Sequence, residues 1–244
     1  MIDINCDMGE IEELLSNDTY SNLMDHIDSI NIACGGHAGD KEMMHKVVKI
    51  AKNKNVKIGA HPSYPDRENF GRFELNIDSE ELSYSIATQI KLLINIAENE
   101  GTSVVHVKPH GALYNKATQD KNLAKLICDT VKTIDPKLPI MCLANSQMLS
   151  VIEKLGMKAI SEAFADRTYE NNGSLRKRGL AKAVITDEII ASKQAASLYF
   201  YNKVIAYDGS EVPIVSETIC IQSDTADALN IAIAVKYALN NHQQ

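Results

Sequence analysis

A single β/α barrel over residues 1–244, with about seven strands, is the architecture this sequence predicts. Three observations carry it. Seven short apolar runs alternate with stretches of helical periodicity, the order expected of a mostly parallel sheet. No segment rich in Pro, Gly and Ser divides them, so one domain is expected. Several runs also keep a polar face. Strands covered by helices on both sides would be apolar throughout, whereas an enclosed lumen accommodates such a face.

Ile2–Cys6 is the first strand, with Asp3, Asn5 and Asp7 on one face and Ile2, Ile4 and Cys6 on the other. Ile30–Cys34 is the second, followed by a helix from about Asp40 to Asn53. On the third, Val56–Ala60, Gly59 and His61 oppose Ile58 and Ala60. Between Asp78 and Glu100, Leu82, Ile86, Ile90, Leu93 and Ala97 share one face of a 3.6-residue period. Asp78 caps that helix, with Glu81 completing a capping box. Val104–Val107 is the fourth strand, where His106 and Lys108 oppose Val105 and Val107. A helix over Asp120 to Ile134 leads to the strand Ile140–Leu143, and one over Ser146 to Leu155 to the strand Ala159–Ser161. After a helix from Asp187 to Tyr201, Val204–Tyr207 and Val212–Val215 flank Asp208-Gly209, a tight-turn pair that predicts a hairpin. The strand Thr218–Ile221 and a helix from Thr225 to Leu239 complete the pattern.

Composition narrows the function. Lys and Arg total 25 against 32 Asp and Glu, a net charge of −7 without a basic block. That is a poor match to a phosphate backbone, and 5% aromatics without Trp make a poor stacking platform. A small molecule or another protein is the expected partner, not nucleic acid. No apolar run approaches the ~18–20 residues a bilayer demands. The segment from Met1 to Asp7 lacks the cationic and apolar parts of a signal peptide. A cytoplasmic location without membrane contact is expected. Five Cys, an odd number without C-x-x-C spacing, predict reduced thiols rather than disulfides or a zinc knuckle.

Polar residues gather just after the apolar runs, where parallel α/β folds build their sites. They are Asp7, the loop from Cys34 to Asp40, His61-Pro62, Lys108-Pro109-His110, Glu162 to Arg167, and Gln222-Ser223-Asp224. His37, His61, His106 and His110 lie on or beyond strands; His26, His45 and His242 do not. One such His is usually a hydrogen-bonded structural residue. Four, joined by carboxylates and Lys108 at one rim, predict an active site. The prolines after His61 and Lys108 hold both residues extended, although strand termination alone would explain either. Asp7 with His37 or His61 is a candidate metal set of low specificity, since the three lie in separate segments. Asp7 and Glu162 are candidate general base and acid if burial raises one pKa. Gly35, Gly36 and Gly39 precede a helix start that favours an anion, but a tight turn explains one or two of them. Arg176-Lys177-Arg178 is either a solvated loop or a lid bringing a guanidinium onto a carboxylate or phosphate. The chain lacks a P-loop, a dinucleotide fingerprint and a G-x-S-x-G nucleophile elbow.

Five blocks are distinctive: Asn5-Cys6-Asp7-Met8-Gly9-Glu10; Ile32-Ala33-Cys34-Gly35 with His37-Ala38-Gly39-Asp40; Gly59-Ala60-His61-Pro62; Val107 to Asn115; and Glu162 with Phe164-Ala165-Asp166-Arg167 and Tyr169. In order and over residues 1 to about 235, they resemble the LamB/YcsF family. The resemblance implies a barrel of the glycoside hydrolase/deacetylase type. It also implies ATP-dependent hydrolytic opening of 5-oxoproline (pyroglutamate) to L-glutamate, with two further subunits of B and C type that would bind the ATP. Asp7, His37, His61, Lys108, His110 and Glu162 would then be catalytic. Asp7 or His61 would activate water, while His37 and Lys108 stabilise negative charge. Asn5, Asp166, Arg167 and Arg178 would bind substrate, an arginine gripping its carboxylate. Two other readings stand beside this one: a metal-dependent amidohydrolase or deacetylase acting without ATP, and a non-catalytic scaffold subunit of the oxoprolinase complex. Departures from the family pattern are Gly36 for Phe, Ser63 for Gly, Ile11-Glu12-Glu13 for Gly-Phe-Gly, Arg176-Lys177 for Val-Pro, and Gln222-Ser223 for His-Gly. They are expected to alter the first loop and either activity or substrate choice.

Overall fold

The computed structural model describes residues 2–241, so His242 lies outside the described residues. Seven parallel strands close a barrel: β1 (Asp3–Met8), β2 (Ser29–Ala33), β3 (Lys57–His61), β4 (Val104–Val107), β5 (Ile140–Leu143), β6 (Ala159–Phe164) and, after an excursion, β9 (Thr218–Gln222). Closure comes from β9, which pairs with both β6 and β1. The excursion is the expected hairpin, β7 (Lys203–Ile205) and β8 (Glu211–Pro213), standing apart from the barrel as an antiparallel ribbon.

The expected helices form as α3 (Lys41–Lys54), α4 (Ser79–Asn99), α6 (Lys121–Ile134), α7 (Gln147–Lys154), α8 (Glu188–Tyr201) and α9 (Ala228–Asn240). Side chains of Asp40, Asp78, Asp120, Ser146 and Asp187 accept first-turn N–H groups, which fixes five of the starts. Three short helices lie outside the periodic pattern: α1 (Glu12–Ser16), α2 (Thr19–Met24) and α5 (Gly111–Ala117). None runs the two turns that periodicity needs.

Outward-facing Ile4, Cys6, Ile30, Ile32, Ile58, Ile219 and Ile221 are buried with Val47, Ile86, Ile90, Leu93, Ile127 and Ile231 of the helices. Each fully buried aliphatic of this size stabilises by about 1.5–3 kcal/mol, so the barrel wall is held from outside. The lumen is instead a ladder of polar layers. At its lower end Asp3 Oδ2 accepts from Ser29 Oγ at 2.6 Å and Thr218 Oγ1 at 2.8 Å. In the next layer Asn31 Nδ2 donates to Asn5 Oδ1 at 2.9 Å, and His106 Nε2 donates to Asn31 Oδ1 at 2.7 Å. Burial and the nearby Lys108 ammonium hold His106 neutral, with its pKa lowered to about 3.

Gly59 lies across the ladder from His106, and its missing side chain is what admits that ring. A Cβ there would collide with His106 Nε2. Gly59→Ala should therefore overpack a closed lumen and lower stability by about 1–3 kcal/mol in urea denaturation. An unchanged midpoint would show that the ring can leave the lumen freely.

Candidate active site

At the carboxyl ends of the strands the lumen opens into a cavity of about 1020 Å³. Asp7, Glu10, His61, Lys108 and His110 line its floor. Phe70, Phe73 and the segment Leu175–Leu180 reach over it.

Lys108 ends the polar ladder. Its Nζ lies 2.9 Å from Asp7 Oδ1, 2.7 Å from Glu162 Oε1 and 3.3 Å from Asn5 Oδ1, and the residue is 2% exposed. Burial opposes the ammonium, but Asp7, Cys220 and Glu162 outweigh it and carry the pKa well above the ordinary value. Burial likewise opposes the Asp7 carboxylate, while His61 and Lys108 outweigh it and hold its pKa well below the usual range. The pair is ionic at neutral pH, so burial does not raise the Asp7 pKa as the base-and-acid expectation for Asp7 and Glu162 required. Asp7 Oδ1 also accepts from Asn31 Nδ2 at 2.8 Å, whereas Oδ2 faces His61 Nε2 at 3.5 Å. Ser223 Oγ donates to the Asp7 carbonyl at 2.6 Å, so this departure from the family pattern supports the same strand end. Glu162 is fully buried and does not line the cavity; its Oε2 accepts from Tyr114 Oη at 2.7 Å.

Beside this pair three imidazoles close around one carboxylate. His37 Nε2 donates to Glu10 Oε1 at 2.8 Å, and His110 Nδ1 lies 3.2 Å from the same oxygen. His61 Nε2 is 3.0 Å from His110 Nδ1. The far nitrogens are anchored on backbone: His61 Nδ1 donates to the Lys108 carbonyl at 2.7 Å, and His110 Nε2 to the Phe70 carbonyl at 3.0 Å. His37 stacks on His110 with ring centroids 3.6 Å apart and planes within 2°. Burial, aided by His110, lowers the His37 pKa to about 3 against the pull of Glu10. Burial also works against a charge on His61, but Asp7 outweighs it and raises that pKa. Glu10 is held below the usual carboxylate range despite burial, by its bonds to His110 and His37.

Glu10 Oε1, His37 Nε2, His61 Nε2 and His110 Nδ1 all lie within 4.8 Å of one another and are the atoms able to hold a metal. The sequence-level set of Asp7, His37 and His61 differs from this one: Asp7 pairs with Lys108, and Glu10 and His110 join the histidines. Glu10 closes the first distinctive block of the sequence, but the sequence assigns it no role, because its direction depends on the turn after β1. Gly9 takes φ +74°, and Tyr20 Oη accepts the N–H groups of Glu10 and Ile11 at 3.1 and 2.9 Å.

Of the four residues expected to bind substrate, Arg167 and Arg178 line the cavity, while Asn5 and Asp166 do not. Asn5 sits beneath Lys108 and donates to Thr218 Oγ1 at 2.9 Å. Arg167 ties down the overhanging loop through the Ala183 and Arg176 carbonyls, at 3.2 and 2.6 Å. Arg178 bridges the mouth to Gln222 and to Asp224, the latter at 3.2 Å. Arg176 pairs with Glu170 at 2.7 Å and lies over the Tyr207 ring. The basic run is thus a tethered edge of the cavity, not a free loop. Two further departures meet at one point, since a Cβ on Gly36 would collide with both Ser63 Oγ and Gln89 Oε1. Ile11-Glu12-Glu13 leads into α1.

Asp166 Oδ2 accepts from the Gln222 N–H at 2.9 Å and Thr225 Oγ1 at 2.7 Å, fixing the turn after β9. Burial lifts its pKa from 3.8 to about 6, against those bonds and the charges of Arg167 and Arg178. The folded state therefore holds this proton more tightly than the unfolded chain. The resulting stabilisation is complete below about pH 4 and is lost as pH rises to about 6. The stability difference between wild type and Asp166→Asn, from urea denaturation, should fall by about 3 kcal/mol between about pH 4 and pH 7. A flat difference would mean that burial does not perturb this group.

The LamB/YcsF family profile matches residues 2–244. This chain belongs to the LamB/YcsF family. Among its relatives in that family is a Clostridium beijerinckii protein named as the A-type subunit of 5-oxoprolinase, 39% identical over 98% of this chain and 93% of that protein. A Haemophilus influenzae protein of the same name is 42% identical over 95% of this chain and 92% of its own length. The crystal structure of the lactam utilization protein from Thermus thermophilus superimposes with a TM-score of 0.90 at 36% identity, covering 98% of this chain and 96% of that one. No helix among the described residues is long and apolar enough to cross a membrane.

Proposed function

We propose that this LamB/YcsF chain is the ring-opening subunit of a 5-oxoprolinase, converting 5-oxoproline to L-glutamate with partner subunits of B and C type that hydrolyse ATP. The observation that carries this reading is the Asp7–Lys108 pair, 2.9 Å apart, on the floor of the cavity at the strand ends. The names of the relatives support the substrate. An unstrained five-membered lactam is a poor electrophile and gains little on hydrolysis, so activation is needed. A partner would transfer the ATP γ-phosphoryl group to the lactam oxygen, consistent with the missing P-loop here.

Water then adds to the activated carbon, and Asp7, through the Oδ2 turned toward His61, takes its proton. The Lys108 ammonium offsets the negative charge of the phosphoryl group on the lactam oxygen as water adds. The ring C–N bond breaks as the departing nitrogen receives the proton that Asp7 took from water, which returns Asp7 to its carboxylate form. A second water releases phosphate from the resulting acyl phosphate, leaving glutamate. Glu162, out of reach of the cavity, holds Lys108 in place.

The test is reconstitution of the purified chain with its partners, 5-oxoproline and ATP. Glutamate should appear only when all are present. Production without this chain would favour the scaffold reading, and production without ATP the amidohydrolase reading. Arg178, half-exposed at the mouth and paired with Asp224, would exchange that partner for the substrate carboxylate. A charge-assisted bond contributes about 1.5–3 kcal/mol, so Arg178→Ala should raise KM by roughly 10–100-fold with a smaller change in kcat. An unchanged KM would move the carboxylate site elsewhere.

A further inference from the structure

The cluster of His37, His61, His110 and Glu10 is not explained by the hydrolytic pair beside it. Two of its rings have their tautomer fixed from behind. His61 gives its Nδ1 proton to the Lys108 carbonyl, and His110 its Nε2 proton to the Phe70 carbonyl. With both rings neutral, His61 Nε2 and His110 Nδ1 would face each other as bare lone pairs across 3.0 Å, and His110 Nδ1 would face Glu10 Oε1 in the same way at 3.2 Å. Such a contact is repulsive unless something positive lies between the two nitrogens. A third ring and a carboxylate oxygen face the same space, with Glu10 Oε1 at 2.8, 3.2 and 3.8 Å from His37 Nε2, His110 Nδ1 and His61 Nε2. Together with the 3.0 Å between His61 and His110, these separations bracket the edge of a tetrahedron built on zinc–nitrogen bonds of about 2.0–2.1 Å, roughly 3.3 Å, and the remaining two lie within 4.8 Å. Imidazole ligands that donate their other N–H to a backbone carbonyl are how metal sites fix ring orientation. His37, 1% exposed and stacked in parallel on His110, must tilt for its Nε2 lone pair to reach an ion shared with His110 Nδ1, and its own Nδ1 is buried without a partner among the described residues.

We propose that Glu10 Oε1, His37 Nε2, His61 Nε2 and His110 Nδ1 bind one divalent transition-metal ion of the zinc type. Three imidazoles and one carboxylate favour zinc or cobalt over magnesium or calcium, which prefer oxygen. His61, His110 and Glu10 line the cavity, so the ion stands where a further position is open to water or a substrate oxygen. The inference does not depend on the oxoprolinase reading. Metal binding concerns these four residues, whereas the ATP requirement is read from glutamate formation.

The competitor is a proton held between His61 and His110, and metal titration separates the two. The full chain, stripped with chelator and dialysed, is titrated with Zn²⁺ alone by calorimetry and with Co²⁺ alone by visible absorption. One ion per chain is expected, with the Co²⁺ bands of a nitrogen-rich four- or five-coordinate site. Glu10→Gln and His110→Gln, checked for folding by circular dichroism, should each weaken Zn²⁺ binding by about 100-fold or more. Should either variant fail to fold, wild-type histidine NMR decides: diamagnetic Zn²⁺ should displace chiefly the ring signals of three of the seven histidines. Failure of wild type to bind either ion saturably would overturn the site. So would undiminished binding by the folded variants, or Zn²⁺ shifts confined to other histidines.

Discussion

Asp7→Asn is expected to reduce glutamate formation by the reconstituted enzyme about 10²–10⁴-fold, the range for losing a positioned general base, while the chain stays folded. The substitution is nearly isosteric. Asn retains an oxygen for Asn31 Nδ2 and Lys108 Nζ, which reach Asp7 Oδ1 at 2.8 and 2.9 Å. What disappears is the carboxylate charge and the ability of Oδ2, 3.5 Å from His61 Nε2, to accept a proton from water. Steady-state kinetics beside a thermal melt check both halves of this expectation. Full activity in a folded variant would remove Asp7 from the reaction.

Lys108→Met has the largest expected effect on stability. Replacing the ammonium with a thioether of similar length leaves two carboxylates, Asp7 at 6% and Glu162 at 0% exposure, without their common counter-charge. Breaking one side of a buried ionic arrangement costs about 3–5 kcal/mol because the remaining charge stays desolvated. Adding Glu162→Gln should return part of that loss, since the amide can still accept from Tyr114, whose Oη lies 2.7 Å from Glu162 Oε2. Chemical denaturation of the single and double variants measures both effects. A Lys108→Met protein as stable as wild type would mean that the two carboxylates are protonated or solvated.

The barrel was legible because its strands carry two patterns at once. Ile4 and Cys6 declare an outer wall, while Asp3, Asn5 and Asp7 declare a lumen, and the hydrogen-bonded ladder through Asn31 and His106 is where that polarity goes. Pattern did not say that His106 belongs to the ladder and not to the cavity. That depends on Gly59 standing opposite, a matter of register between β3 and β4. Asp7, His61, Lys108 and His110 were legible as strand-end residues, and the structure brings them to one floor. Glu10 was not, because a carboxylate one turn past a strand looks like any loop residue until Gly9 and Tyr20 aim it. Tyr114 was hidden in a helix of seven residues, too short for periodicity to reveal which side faces Glu162.

A crystal structure of the chain with 5-oxoproline or L-glutamate bound tests the central claim most directly. The ligand's reacting carbonyl oxygen should lie within hydrogen-bond distance of Lys108 Nζ, with Asp7 Oδ2 beside the reacting carbon directly or through one water. Ligand ordered at another surface, with Asp7 and Lys108 still paired only to each other and to Glu162, would contradict it.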